Sequence, residues 1–142
     1  MLYVIDTDIF TLIQHQARQS VPLLFLRVSM QKQENLCTTI ISFQEQAKGC
    51  LASANRIQPE SKLLDAYEMM QNLRDAYCRL NVLPFNAAAK RQVDELVRQR
   101  IRVGTMDMRI AAITMVNQAT LITRNTQDFE RIPGLRLEDW TV

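Results

Sequence analysis

Five acids in this 142-residue chain stand where a carboxylate either does chemistry or closes a helix. Asp6 follows directly on the apolar run from Leu2 to Ile5, and the carboxyl edge of parallel strands is where α/β proteins bind their ligands. It is equally a good N-cap for a following helix, as is Asp8. Glu45 completes Ser42-Phe43-Gln44-Glu45, which fits the S-x-x-E capping box, where the acid folds back onto the start of its own helix. Asp107 falls in the first turn after Thr105, where the positive end of a helix dipole favours an acid whatever its purpose. Asp128, in the turn after Asn125, carries the same ambiguity. Acids at helix starts that follow parallel strands share a consequence, because all of them lie toward one edge of the sheet. Carboxylates gathered there repel one another, and either hold protons or recruit a hard divalent cation with oxygen ligands. Asp107 fits this geometry least well, since a helix rather than a strand precedes it.

The elements that must position these acids follow from periodicity. Leu2 to Ile5 reads as a buried strand, with a helix after it from about Ile9. A helical stretch containing Leu23, Leu24, Leu26 and Val28 leads to a second strand, Leu36 to Ile41, rich in Thr and Ile, and Ser42 opens the next helix. From Glu60 to Leu80 apolar residues recur at helical spacing with no internal glycine or proline. Val82 to Phe85 makes a brief strand, with Pro84 tolerated only near an edge or end, and Asn86 caps a helix to about Ile101. Gly104 breaks the chain, Thr105 caps a helix through Met115, Thr120 to Thr123 forms a fourth strand, and Arg136 to Leu137 a short last one. Strands alternating with helices imply a three-layer α/β sandwich around a mainly parallel central sheet.

Composition narrows the class. The length suits a single domain with one core, and 47% hydrophobic with 23% charged residues is ordinary for a folded protein. Cys37, Cys50 and Cys78 have neither zinc-site spacing nor an even count for a disulfide framework, which points to a reducing cytoplasm. No stretch approaches the length of a membrane span, and the seven methionines are expected as core filler. A net charge of +2 does not by itself argue for nucleic acid, although from Lys90 onward bases, Arg102 and Arg109 among them, outnumber acids. There is no Gly-rich phosphate loop, no His/Cys metal spacing and no nucleophile elbow, and the lone His15 lies in a Gln-rich, exposed stretch.

Val4-Ile5-Asp6-Thr7-Asp8, Ile41-Ser42-Phe43-Gln44-Glu45, Gly104-Thr105-Met106-Asp107 with Arg109-Ile110-Ala111-Ala112, and Leu121-Ile122-Thr123-Arg124-Asn125 resemble, in order and spacing, the successive motifs of PIN-domain nucleases. The closing run from Asp128 to Leu135 is similar to the tail of the VapC-type toxins of bacterial toxin and antitoxin pairs. The resemblance spans essentially the whole chain. It implies an RNA-cleaving enzyme in which Asp6, Glu45 and Asp107 hold magnesium or manganese, Thr123 and Asn125 help position water or substrate, and Asp128 sits at the pocket rim. It further implies that Arg102 or Arg109 steadies substrate phosphates, and that the chain forms a homodimer silenced by a cognate antitoxin protein. Asn125 stands where many relatives carry a fourth acid, and Asp8 replaces the Asn or Ser often found two residues after the first.

Two other readings compete. Asp6-Thr7-Asp8 after a strand also looks like the first motif of haloacid-dehalogenase-type phosphatases, but the later lysine and Gly-Asp motif of that family are missing, the last lysine being Lys90. A protein that kept the fold and lost the chemistry would bind RNA or a partner without cutting.

Overall fold

The computed structural model describes residues 1–142. Five strands, β1 (Tyr3–Ile5), β2 (Leu36–Thr39), β3 (Asn81–Leu83), β4 (Thr120–Ile122) and β5 (Arg136–Glu138), form one sheet in the order β3-β2-β1-β4-β5, with every neighbouring pair parallel. Seven α-helices connect and cover them: α1 (Thr7–Gln14), α2 (Pro22–Ser29), α3 (Ile40–Ala54), α4 (Glu60–Cys78), α5 (Ala87–Arg98), α6 (Thr105–Val116) and α7 (Thr126–Phe129).

Side chains of successive strand residues point to opposite faces, so β1 to β4 each feed two cores, whereas the edge strand β5 offers only Leu137 to one of them. Val4, Cys37 and Leu121 pack on one side with Ile41, Leu96, Ile110, Ile113 and Phe129. Ile5 and Ile122 pack on the other with Ile9, Leu24, Leu73, Tyr77 and Trp140. A sheet covered on both faces needs strands with little alternation, and β4 is accordingly buried at all three positions. The chain adds β2 and β3 on one side of β1, then returns to lay β4 and β5 on the other. The order therefore reverses between β1 and β4, and at such a reversal a crevice opens outside the carboxyl ends of the strands.

The expected elements all form, with boundary differences that have physical causes. β2 stops at Thr39 rather than Ile41, because the Thr39 side chain accepts the Ser42 N–H at 3.1 Å and starts α3 at once. Ser42 is thus inside the helix, and the capping box assigned to Ser42 and Glu45 does not exist. Helix α1 begins at Thr7, earlier than Ile9, capped by Asp6. Helix α4 ends at Cys78 and β3 ends at Leu83, before Pro84, which has no N–H for the ladder. Asn86 caps α5 as expected, accepting the Ala89 N–H at 3.0 Å, and that helix ends at Arg98 ahead of Arg100, whose φ is +60°. Thr105 is the first helical residue of α6, and Gly104 occupies the cap without a side-chain bond. Of the seven methionines, Met108 is buried and Met70, Met106 and Met115 pack partly buried against the two cores, whereas Met1, Met30 and Met69 are exposed and fill no core. All three cysteines are free thiols, and no helix is long and apolar enough to cross a membrane.

Candidate active site

Asp6 is the residue most firmly held. The apolar β1 runs through the middle of the sheet, its direction continues into Asp6, and the Asp6 N–H still donates to Ile122 O of β4 at 3.0 Å. Its carboxylate, only 6% exposed, accepts the Thr7 N–H at 2.8 Å on Oδ1 and the Thr123 hydroxyl at 2.7 Å on Oδ2. Asp6 is therefore the cap of α1, one of the two readings open from sequence, and the same carboxylate is buried at the sheet edge where the other reading places a ligand. Burial pushes its pKa up, the bonds from Thr123 and Thr7 oppose that, and the charges of Asp8 and Glu45 add to it.

Thr123 lies immediately past β4, fully buried, and works in two directions: it donates to Asp6 and accepts the Asn125 N–H at 3.0 Å. The Asn125 amide Nδ2 in turn donates to Asp128 Oδ2 at 3.1 Å. The turn after β4 is tied to the end of β1 by this sequence of bonds.

Glu45 is the sixth helical residue of α3, well inside the helix, and its carboxylate leans across to α1, where Oε1 accepts the Thr7 hydroxyl at 2.8 Å. Asp107, half-buried in the first turn of α6, has its pKa pushed up to about 6, first by burial and then by the charges of Asp6, Glu45, Asp128 and Asp8. Four other acids acting on one carboxyl group define a shared negative field at this edge of the sheet. No protein cation answers it, since the ion pairs of the molecule, Arg74–Asp75, Lys90–Asp94 and Arg98–Glu95, lie elsewhere.

The arginines expected to steady phosphates are less convergent. Arg102 is exposed on the loop before α6, and its carbonyl accepts Nη1 of Arg131 at 3.2 Å. Arg109 points to the Phe85 ring, its Cζ 5.9 Å from the centroid, in an 840 Å³ groove bounded by α3 residues such as Ile40, Gln44 and Leu51. A second groove of 760 Å³ lies between α3 and α4 beside exposed His15. Neither of these two grooves is lined by Asp6, Glu45 or Asp107.

No three acidic, histidine or cysteine side chains close tightly enough to enclose an ion by themselves. The donor chemistry nevertheless suits a hard divalent ion: all donors are oxygens, the negative charge is uncompensated, and magnesium commonly binds through one or two carboxylates while keeping several waters. Sequence reasoning missed Thr7, which contacts both Asp6 and Glu45; the available signal was a hydroxyl residue directly after an acid that ends a strand.

A doubly wound parallel sheet with acids gathered at its carboxyl edge, beside the reversal of strand order, defines a class of α/β proteins with an edge site for a ligand or ion. Within that class, the PIN-domain family profile matches residues 3–135, and the chain belongs to the PIN-domain family. It is 29% identical to Ribonuclease VapC1 of Haemophilus influenzae (strain R2866) over 99% of both chains. It is 40% identical to the tRNA(fMet)-specific endonuclease VapC of Shigella flexneri over 67 residues, 44% of this chain and about half (51%) of that relative. Among solved structures, VapBC-1 from nontypeable Haemophilus influenzae superposes with a TM-score of 0.76 at 26% identity, covering 100% of both chains. The family match leaves the dehalogenase-type reading of Asp6-Thr7-Asp8 without support.

Proposed function

We propose that this chain, acting through residues 1–142 as a single nuclease domain, is a magnesium- or manganese-dependent endoribonuclease toxin of the bacterial cytoplasm, neutralised by a cognate antitoxin protein and working as a homodimer. The observation that carries the reading is the field of Asp6, Glu45 and Asp107 at one sheet edge with no cationic side chain paired to any of them. The names of the relatives, ribonuclease and endonuclease, and the superposition on the VapBC-1 structure support the same direction.

In this reading Asp6, Glu45 and Asp107 hold the ion, directly or through water. The chemistry that a hard divalent ion would supply when held there is polarisation of the scissile phosphate and neutralisation of the charge developing as water attacks. The protein does the rest by orientation. Thr123 fixes Oδ2 of Asp6, and Thr7 fixes Oδ1 of Asp6 through its N–H and Oε1 of Glu45 through its hydroxyl. Asn125 holds Asp128 at the rim, so that the acidic residue there is restrained beside the substrate path. Arg102 on the loop leading into α6 meets substrate phosphates, and Arg109, stacked toward Phe85, supports the flank. Preorganised carboxylates and dipoles of this kind need no rearrangement when charge develops, which is where such sites obtain most of their effect.

The test is cleavage of labelled single-stranded RNA, a transfer RNA and the equivalent DNA strand by purified protein, with magnesium or manganese, with EDTA, and with Asp6→Ala prepared in parallel. The expected result is RNA cleavage that requires the ion and disappears in the variant. RNA binding that persists in EDTA, without cleavage in any metal, would instead identify a binding module that has kept the fold and lost the chemistry.

A further inference from the structure

One residue touches two of the three acids. The Thr7 N–H donates to Asp6 Oδ1 at 2.8 Å, and the Thr7 hydroxyl donates to Glu45 Oε1 at 2.8 Å. Behind it stand two more hydroxyls: Thr7 Oγ1 lies 2.9 Å from Ser42 Oγ, and Ser42 Oγ lies 3.4 Å from Thr39 Oγ1. Ser42 and Thr39 are both fully shielded from solvent.

Proton counting gives this cluster a direction. A carboxylate only accepts, so the single Thr7 proton goes to Glu45. The bond between Thr7 and Ser42 then has to be made by the Ser42 proton, with Thr7 Oγ1 as acceptor. Ser42 Oγ, having given its proton, accepts that of Thr39, whose own oxygen accepts the Ser42 N–H at the start of α3. Three hydroxyl dipoles therefore point the same way, from the cap of α3 toward the Glu45 carboxylate. Aligned bonds polarise one another, and a terminal bond to an ionised acceptor is among the stronger kinds. The chain also joins the first turn of α1 to the first turns of α3, and so fixes the spacing between the helix starts that carry Asp6 and Glu45.

We infer that Thr7, backed by Ser42 and Thr39, is a positioning residue that sets Glu45 relative to Asp6 and thereby sets the affinity of the acidic edge for its divalent ion. This rests on the proposed metal-dependent reading and assigns a role to a residue outside the acids themselves. Partners that orient a ligand from behind typically govern metal affinity by about 10–100-fold when removed.

The experiment is a titration of the full chain with Mn2+, followed by calorimetry and by the free-ion EPR signal, on wild type, Thr7→Val, Thr7→Ser, Ser42→Ala and Thr11→Val. Thr7→Val keeps the shape and removes the hydroxyl; it is expected to weaken Mn2+ binding by about 10-fold or more. Thr7→Ser restores the hydroxyl and is expected to return within about threefold of wild type, and Ser42→Ala to fall between the two because it only unbacks the donor. Thr11 bonds the Thr7 carbonyl and Gln46 but neither acid, so Thr11→Val is expected to bind as wild type. In a Glu45→Gln background, adding Thr7→Val is expected to cause little further loss, because the two residues act as one unit. The inference is overturned if Thr7→Val binds as wild type, if Thr7→Ser binds as poorly as Thr7→Val, or if the Thr7→Val loss is undiminished in Glu45→Gln. Should Thr7→Val not fold, Ser42→Ala binding as wild type would overturn it equally. Wild type that binds no Mn2+ would overturn the metal-dependent reading along with this one.

Discussion

Replacing Asp107 by Asn should make the metal-free protein more stable while removing its cleavage activity. The Asp107 carboxyl titrates at about 6 in the folded chain, against an ordinary value of 3.8, chiefly through burial and then through Asp6, Glu45, Asp128 and Asp8. A raised carboxyl pKa means that the folded state binds the proton more tightly than the unfolded state does. Between those two values the folded state carries more protons, so stability falls as pH rises through the window, and above it the whole penalty is present. At about 1.4 kcal/mol per unit the shift sets a ceiling of roughly 3 kcal/mol. Asp107 is only half-buried, and solvent screening together with the favourable dipole at the start of α6 reduces the penalty to about 1 kcal/mol. With an unfolding entropy of about 2.1 cal/mol/K per residue, a chain of this length converts that to an upward Tm shift of about 3 °C. The assay is thermal unfolding of wild type and Asp107→Asn in EDTA from about pH 3.5 to about pH 8, with the gap expected to be open at the upper end and closed below the unfolded pKa. An Asp107→Asn protein no more stable than wild type at about pH 8, or a gap that persists unchanged at about pH 3.5, would refute the argument that crowded acids destabilise this edge.

Metal should reverse that order: at about 100 times its dissociation constant, Mn2+ is expected to stabilise wild type by ~2.7 kcal/mol, and the Tm shift should be absent in Asp6→Asn. Thr123→Val removes the hydroxyl that donates to Asp6 Oδ2 and leaves a buried carboxylate oxygen short of a partner. Urea unfolding should register a loss of about 1–3 kcal/mol, and single-turnover cleavage a drop of about 10–100-fold. Asn86→Ala deletes the α5 cap bond to the Ala89 N–H. It should cost about 1 kcal/mol in urea unfolding and leave cleavage at wild-type level, separating stability from function.

The parts of this molecule that sequence resolves are those fixed by a local pattern. β1 followed by Asp6 is such a case, because an apolar run of strand length that ends on an acid has one sensible place in a parallel sheet. Asn86 before α5 is another. Glu45 is the opposite case. The S-x-x-E spacing at Ser42 is a genuine local signal, but Thr39, three residues earlier, also caps well and takes the Ser42 N–H first. Which of two competing caps wins depends on where β2 must stop to stay in register with β1 and β3, and that is a tertiary constraint. Once Thr39 wins, Glu45 moves from the first turn to the sixth helical position, loses its backbone partner and becomes free to meet Thr7.

Asp107 makes the complementary point. Its place at the carboxyl edge looks doubtful if one asks which element precedes it, since α5 and a loop come before α6 and no strand does. The element that follows decides the matter. Helix α6 ends at Val116, and β4 opens at Thr120 after a reversal in which Gln118 adopts a positive φ of 52°. A helix whose last residue lies so few positions ahead of a strand's first must finish at the amino edge of the sheet, and the twelve residues of α6 then place its start at the carboxyl edge. Asp107 is carried to Asp6 by the short connection behind it, and the β1–β4 pairing, with Ile5 opposite Ile122, brings Thr123 to the same point. The edge site is thus assembled by three different routes: a strand that ends on its acid, a helix start moved by a rival cap, and a helix aimed by the turn that leaves it.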